Sequence, residues 1–192
     1  VSAHYRLTDT TCEHWSGVTL YQIQATRDLP RRGVREGDLG GFIQSEKNLS
    51  GNAWVSGNAR VSGNAWVSGN ARVFGNAEVS GNARVFGNAR VSGTARVSGN
   101  AEVFGNAELA NRQHILTLTP IGSESVTATL TRDEAGHTLR VGCWSGTVDQ
   151  LAAEVERRSA GWSAPPEVRH QWRGEYSALE AMCRARIAGW AS

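Results

Sequence analysis

Proline, cysteine and long apolar runs are scarce in this chain, and each scarcity removes a class of protein. Four prolines in 192 residues, with no G-x-y triplet run, exclude collagen and Pro-rich disorder. No stretch approaches the ~18 consecutive apolar residues of a membrane span. Residues 1–6 lack the charged-then-apolar layout of a secretory signal. Cys12, Cys143 and Cys183 are odd in number and far apart. They form neither a disulfide framework nor a zinc spacing, and they predict a reducing compartment. Cys143 reads as a small buried side chain before it reads as a catalytic thiol. Net charge is only +2, with Lys47 the single lysine among 20 basic residues. That balance is too mild to predict a nucleic-acid or membrane partner.

Glycine is what the chain has in excess, and much of it is metrical. Ten of the 22 glycines, from Gly51 to Gly105, recur every six residues without a slip. Asn follows each except Gly93, where Thr94 stands, and an alanine comes next every time, from Ala53 to Ala107. Val or Leu keeps the same beat from Leu49 to Leu109, so the unit is V-[SF]-G-N-A-x. A period of six suits neither a helix nor one long alternating strand. It suits a very short strand and a corner, with Val and Ala sharing the inward face. Gly and Asn both tolerate positive φ and would supply the corner, and stacked Asn side chains would form amide ladders. The prediction is a parallel β-solenoid.

Charge sets the number of sides, because stacked neighbours avoid like charges. In a coil of 18 residues, Arg60–Glu78, Glu78–Arg96, Arg84–Glu102 and Arg90–Glu108 are opposite pairs, and only Arg72–Arg90 is like. Coils of two or four sides give a poorer balance. A three-sided prism of a little over three coils follows. V-S-G-N-A-R resembles the hexapeptide repeat of left-handed β-helix proteins, which implies that handedness; the right-handed bactofilin kind is the structural alternative.

Solenoid ends need covering. Residues 1–48 read as an N-terminal β cap with strands at 5–7 and 20–25, joined through a polar segment, and residues 49–110 are the repeats. Gly37-Asp38-Leu39-Gly40-Gly41 reads as a tight connector; its phosphate-loop flavour lacks the G-K-[ST] ending. Residues 111–192 predict a small α+β domain: strands near 114–119, 126–131 and 137–141, a helix over 148–158 capped by Thr147, and a second over 175–188 after a break at Pro165-Pro166. The run Tyr5-Arg6-Leu7, Ala25-x-Arg27-Asp28, Gly37-x-x-Gly40-Gly41 and Asn48-Leu49-Ser50 is similar to YdcK-type proteins and to many phage and prophage proteins. Gly142-Cys143-Trp144-x-Gly146-Thr147, with Glu175-Tyr176, resembles a C-terminal domain found after GNA repeats in phage proteins. A Trp- and Pro-rich insertion around 161–173 departs from it.

The hexapeptide resemblance implies an acyltransferase with a His projecting from the coils as general base. None of the five histidines, His4, His14, His114, His137 and His170, lies in the repeats, and no long loop interrupts them. No catalytic residue, cofactor or metal site is expected. Outward aromatics are the better lead: Trp54, Trp66, Phe74, Phe86 and Phe104 on the coils, and Trp162, Trp172, Arg169 and Arg173 near the C-terminus. Each set is a candidate protein interface, with burial under the N-terminal cap, the C-terminal domain, the core or a trimer contact as the competing explanation. The expectation is a non-enzymatic, phage- or prophage-type solenoid scaffold in a bacterial host cytoplasm or a virion. It would bind a host or viral protein, itself as a homo-oligomer such as a trimer. An acyltransferase or a self-assembling filament is the alternative.

Overall fold

A computed structural model describes residues 4–14 and 16–190; the reading of residues 1–6 for a secretory signal therefore falls partly outside the described residues. The chain divides into two compact units, Val1–Arg112 and Gln113–Ser192. The first opens with an antiparallel hairpin, β1 (Tyr5–Glu13) and β2 (Thr19–Ala25), followed by β3 (Leu39–Ile43). Ten two-residue strands then recur every six residues, from β4 (Trp54–Val55) to β13 (Glu108–Leu109). They pair in parallel along three faces: β3-β5-β8-β11, β4-β7-β10-β13 and β6-β9-β12. The charge pairs expected of a three-sided coil are the pairs the register makes.

The interior is what the metre dictates. Every repeat Val, from Val55 to Val103, has no solvent exposure, and the alanines from Ala53 to Ala107 are buried beside them. At roughly 1.5–3 kcal/mol for each fully buried Val, this column dominates the stability of the unit. Backbone bonds run from one coil to the next, as in Arg60 N–H to Ala77 O (2.9 Å) and Asn52 N–H to Gly69 O (2.8 Å). The amide ladders are present: Asn64 donates to Asn82 (3.2 Å) and Asn82 to Asn100 (3.1 Å), Asn70 to Asn88 and Asn88 to Asn106 (3.3 Å each). The corner itself differs from the expectation. All ten repeat glycines take φ between 56° and 72°, while no repeat Asn has positive φ. Glycine alone turns the chain, and from Gly51 to Gly87 an added Cβ would also lie 2.9–3.3 Å from the backbone of the next glycine in its column, where a side chain has little room.

The described residues of 4–48 are continuous with the prism. β1 and β2 extend the sheet that β3 begins, and Phe42 and Ile43 of β3 pair in parallel with Arg60 and Val61. The solenoid therefore starts at β3 and makes about four turns. Gly40 and Gly41 are strand residues of close approach: a Cβ on Gly40 would lie 2.6 Å from Val55 O, and one on Gly41 2.7 Å from Ala59 O. Buried Asn48 fills the missing first position of the third face, its Nδ2 donating to Gly63 O (3.0 Å) and Ala65 O (2.8 Å).

The second unit is an antiparallel sheet with two helices. Its strands are β14 (Ile115–Ile121), β15 (Val126–Asp133), β16 (Gly136–Val141) and β17 (Trp144–Gly146), paired in that order. Helix α1 (Val148–Ser159) begins where Gln150 Oε1 accepts the Thr147 N–H at 2.9 Å. Helix α2 (Pro166–Ala188) is longer than expected. Pro166 takes the first turn, where a missing N–H costs nothing, so Pro165-Pro166 starts this helix and the Trp-rich segment is largely its first turns. The core is Leu130, Leu139, Val141, Leu151, Leu179 and Cys183 with their neighbours. Burial raises the Cys183 thiol to about 11.

Candidate functional site

On the prism, the position after each Val forms a corner column. Phe86 and Phe104 occupy one such column and stack, with ring centroids 5.6 Å apart and planes 16° from parallel. Trp66 belongs to the adjoining face, below Arg84 and Glu102 in register. It is 42 % exposed, and its Nε1 donates to Ser50 Oγ at 2.8 Å. Trp66, Phe86 and Phe104 thus share one side of the prism. Phe74 lies on the next corner, half-buried, with the Arg72 guanidinium 5.6 Å over its ring. Trp54 is different: it is buried, with the His4 ring 6.2 Å away. The N-terminal segment covers it, so it leaves the exposed set. His4 Nε2 bonds Ala53 O at 2.8 Å, and burial holds the imidazole below its usual pKa.

In the second unit, the 160–165 connection and the start of α2 build a groove. Trp162 is half-buried, stacks on Tyr176 (6.2 Å, 21°) and meets Trp172 edge-on (5.4 Å, 83°). The Arg173 guanidinium lies 5.8 Å over the Trp162 ring, pairs with Glu156 and donates to Ser159 Oγ at 2.7 Å. The hydrogen bond to Glu156 raises the Arg173 pKa and lowers that of Glu156. Ser159, Trp162, Pro166, Arg169, His170 and Arg173 line an open pocket of about 510 Å³. Three of the four C-terminal candidates therefore converge on one groove. The fourth, Trp172, buttresses Trp162 from the side.

The residues that could carry acid–base or nucleophilic chemistry are placed apart. His137 Nε2 accepts the Val148 N–H at 3.0 Å, which fixes it at the start of α1. Cys143 is exposed, correcting the expectation of a buried thiol, because it sits in the β16–β17 turn rather than in the core; Arg158 Nη2 approaches its Sγ at 3.5 Å. Among the described residues, no group of three or more His, Cys, Asp and Glu could hold a metal. Among the described residues, no helix is long and apolar enough to cross a membrane. The Glu175-Tyr176 pair is structural: Glu175 Oε2 accepts the Gly122 N–H at 2.7 Å, and buried Tyr176 packs under the same turn.

One cluster was not anticipated. Arg27, Arg31 and Arg32 line an open pocket of about 680 Å³ with Asp28, Leu29, Pro30, Asn52 and Asn70, all in the first unit. The signal for it was the one like-charged stack, Arg72–Arg90.

The repeat matches a family model described as YdcK Beta solenoid repeat over residues 53–69, 65–81 and 77–93, all inside the coils. No curated protein matches the chain. The matched repeats and the parallel prism make this a YdcK-like β-solenoid.

Proposed function

We propose that this YdcK-like β-solenoid is a non-enzymatic scaffold that presents its C-terminal α+β domain to a partner protein. The observation that carries the reading is the Trp162 groove: an aromatic floor with Arg169, His170 and Arg173 at its rim. Arg and Trp in one concave patch are the residue types that dominate protein interfaces, and the exposed Arg169 makes no ion pair among the described residues. The partner carries an acidic or aromatic segment that fits this rim. The resemblance of residues 5–50 to phage and prophage proteins supports a phage-type setting for this reading, with a virion component or a host factor, such as a defence complex, as the partner. It acts in the bacterial cytoplasm or in the virion. On the prism, Trp66, Phe86 and Phe104 form the surface through which copies associate side by side, a closed trimer being the simplest arrangement. Charges on the faces alternate and pair, as in Arg96–Glu78 (2.9 Å) and Arg90–Glu108 (3.0 Å). That pattern suits a solvated face and not a track for nucleic acid.

Affinity capture from bacterial or infected-cell lysate tests the reading, comparing the full chain with residues 1–112, which form a compact unit. A partner retained by the full chain and lost with the truncation supports presentation by the C-terminal domain. The same partner on both overturns it. Light scattering reads the oligomer directly, and Phe86→Ser with Phe104→Ser shifts a trimer to monomer if that column is the contact.

A further inference from the structure

Arginine on the β4-β7-β10-β13 face behaves differently from arginine elsewhere on the prism. Along the other faces each Arg stacks on Glu in register, but here Arg72 stacks on Arg90. The loop above that face adds Arg27, Arg31 and Arg32. A short 3-10 turn, Pro30–Arg32, ends at Gly33 with φ 65°, and buried Leu29 bridges to Val34 at its base. Asp28 Oδ1 accepts the Glu36 N–H at 2.8 Å, and Asp38 Oδ2 accepts the Arg35 N–H at 2.7 Å. The loop is thus pre-shaped by its own hydrogen bonds. Two of its arginines are anchored on the first coil at Asn52, Arg27 Nη2 to Oδ1 (3.3 Å) and Arg32 Nε to the carbonyl (3.4 Å). The Arg31 side chain has no partner among the described residues.

Positive charge is therefore crowded at one spot. Burial first, and then Arg72, Arg31 and Arg90, push the Arg32 guanidinium below its usual pKa. The carboxylates nearby do not offset this: Asp28 is the only one lining the pocket and braces the loop, and Glu108 is engaged with Arg90. Like charges held together without counter-charge are a standing cost. A fold that alternates Arg with Glu elsewhere, and abandons the pattern beside a pocket, has the arrangement expected where a ligand supplies the negative charge.

We propose that this pocket binds a compact, multiply charged phosphate group, of the pyrophosphate or nucleoside-diphosphate class. Guanidinium forks from the loop match phosphate oxygens bidentately, and the Asn52 and Asn70 side chains line the same wall. The cluster is local, not a stripe, so it fits a small anion and not an extended nucleic acid. This inference is independent of the partner reading above.

Isothermal titration calorimetry of the full chain with inorganic pyrophosphate at physiological ionic strength is the test. Saturable binding is expected, with Arg31→Gln and Arg32→Gln, both in the pocket lining, each weakening it about tenfold or more, as loss of a charge-assisted hydrogen bond does. Arg96→Gln, on another face, leaves it within about twofold. A second readout separates binding from folding. Without ligand, Arg31→Gln keeps or raises the thermal midpoint, because the Arg31 side chain has no partner to lose among the described residues and is one of the like charges crowded on Arg32. With pyrophosphate, the wild type gains a rise in midpoint that the variant lacks. No heat at millimolar pyrophosphate overturns the proposal, as does an equal loss in Arg96→Gln. A single-stranded oligonucleotide that binds more tightly than pyrophosphate, and is displaced by salt, also overturns it in favour of a general polyanion surface.

Discussion

Adding one methyl group at two equivalent corners separates the two reasons glycine is needed there. Gly81 and Gly105 have nearly the same backbone, φ 69° and 65°. A Cβ on Gly81 would lie 2.9 Å from Gly99 N, 3.2 Å from its O and 3.3 Å from its Cα, whereas one on Gly105 meets nothing within 4 Å. Both substitutions to Ala incur the left-handed strain of an L-residue, about 1–2 kcal/mol. Gly81→Ala also presses on backbone that cannot swing aside, and overpacking of that kind adds about 1–3 kcal/mol. Gly105→Ala is therefore expected to cost about 1–2 kcal/mol and Gly81→Ala about 2–5 kcal/mol. Urea unfolding measures both, at constant m-value. Amide exchange of residues 76–88 assigns the transition to the solenoid, because the chain has two units. Equal losses at the two sites would refute the reasoning, since φ alone would then account for the glycines.

Three further outcomes are expected. Thr94 interrupts the ladder in which Asn58 donates to Asn76 (3.2 Å), so Thr94→Asn extends it and stabilises the unit by about 0.5–1 kcal/mol; a destabilised variant in urea would contradict the ladder's role. Iodoacetamide labels exposed Cys143 in the native protein, while Cys183, buried and raised to about 11, labels only on unfolding; mass spectrometry of native Cys183 modification would contradict its placement. His4 has a pKa lowered in the folded state, mainly by burial. The unfolded chain then takes up the proton more readily, so its contribution is complete above the ordinary value near 6.5 and declines as pH falls below it. Melting from pH 7 to pH 5 should show a decline that His4→Gln reduces.

The solenoid was legible because its constraint is local and repeated. Val, Ala and Gly keep the beat, and the variable charge before each Val reported the coil length through Arg60–Glu78 and its fellows. Where constraints come from distant partners, the reading was shorter. Thr8–Glu13 lack apolar alternation because both sides of that stretch of β1 are largely solvated, so nothing marked them as strand. Gly40 and Gly41 read as a connector, since only the approach of Val55 and Ala59 shows why they are glycine. β17 is three residues long, with Gly146 at its end, below the length at which a pattern exists. Pro165-Pro166 is ambiguous locally, a break or a first turn, and the packing of Trp162 on Tyr176 decides for the turn. Of the candidate surface, the Phe86–Phe104 stack followed from the coil length, whereas the burial of Trp54 depended on His4, 50 residues earlier in the chain and just ahead of the hairpin. The Arg27–Arg32 pocket joins residues that only the loop's path brings together, and Arg72–Arg90 was its sole trace.

The most direct test of the scaffold account is the affinity of the full chain for the partner it captures, measured with and without Arg169→Glu and His170→Glu at the groove rim. Both residues are exposed on α2, so the variants should fold as the wild type does. The account expects at least a tenfold loss, as reversal of rim charge at a complementary interface gives. Unchanged affinity, with the fold intact by circular dichroism, would contradict it.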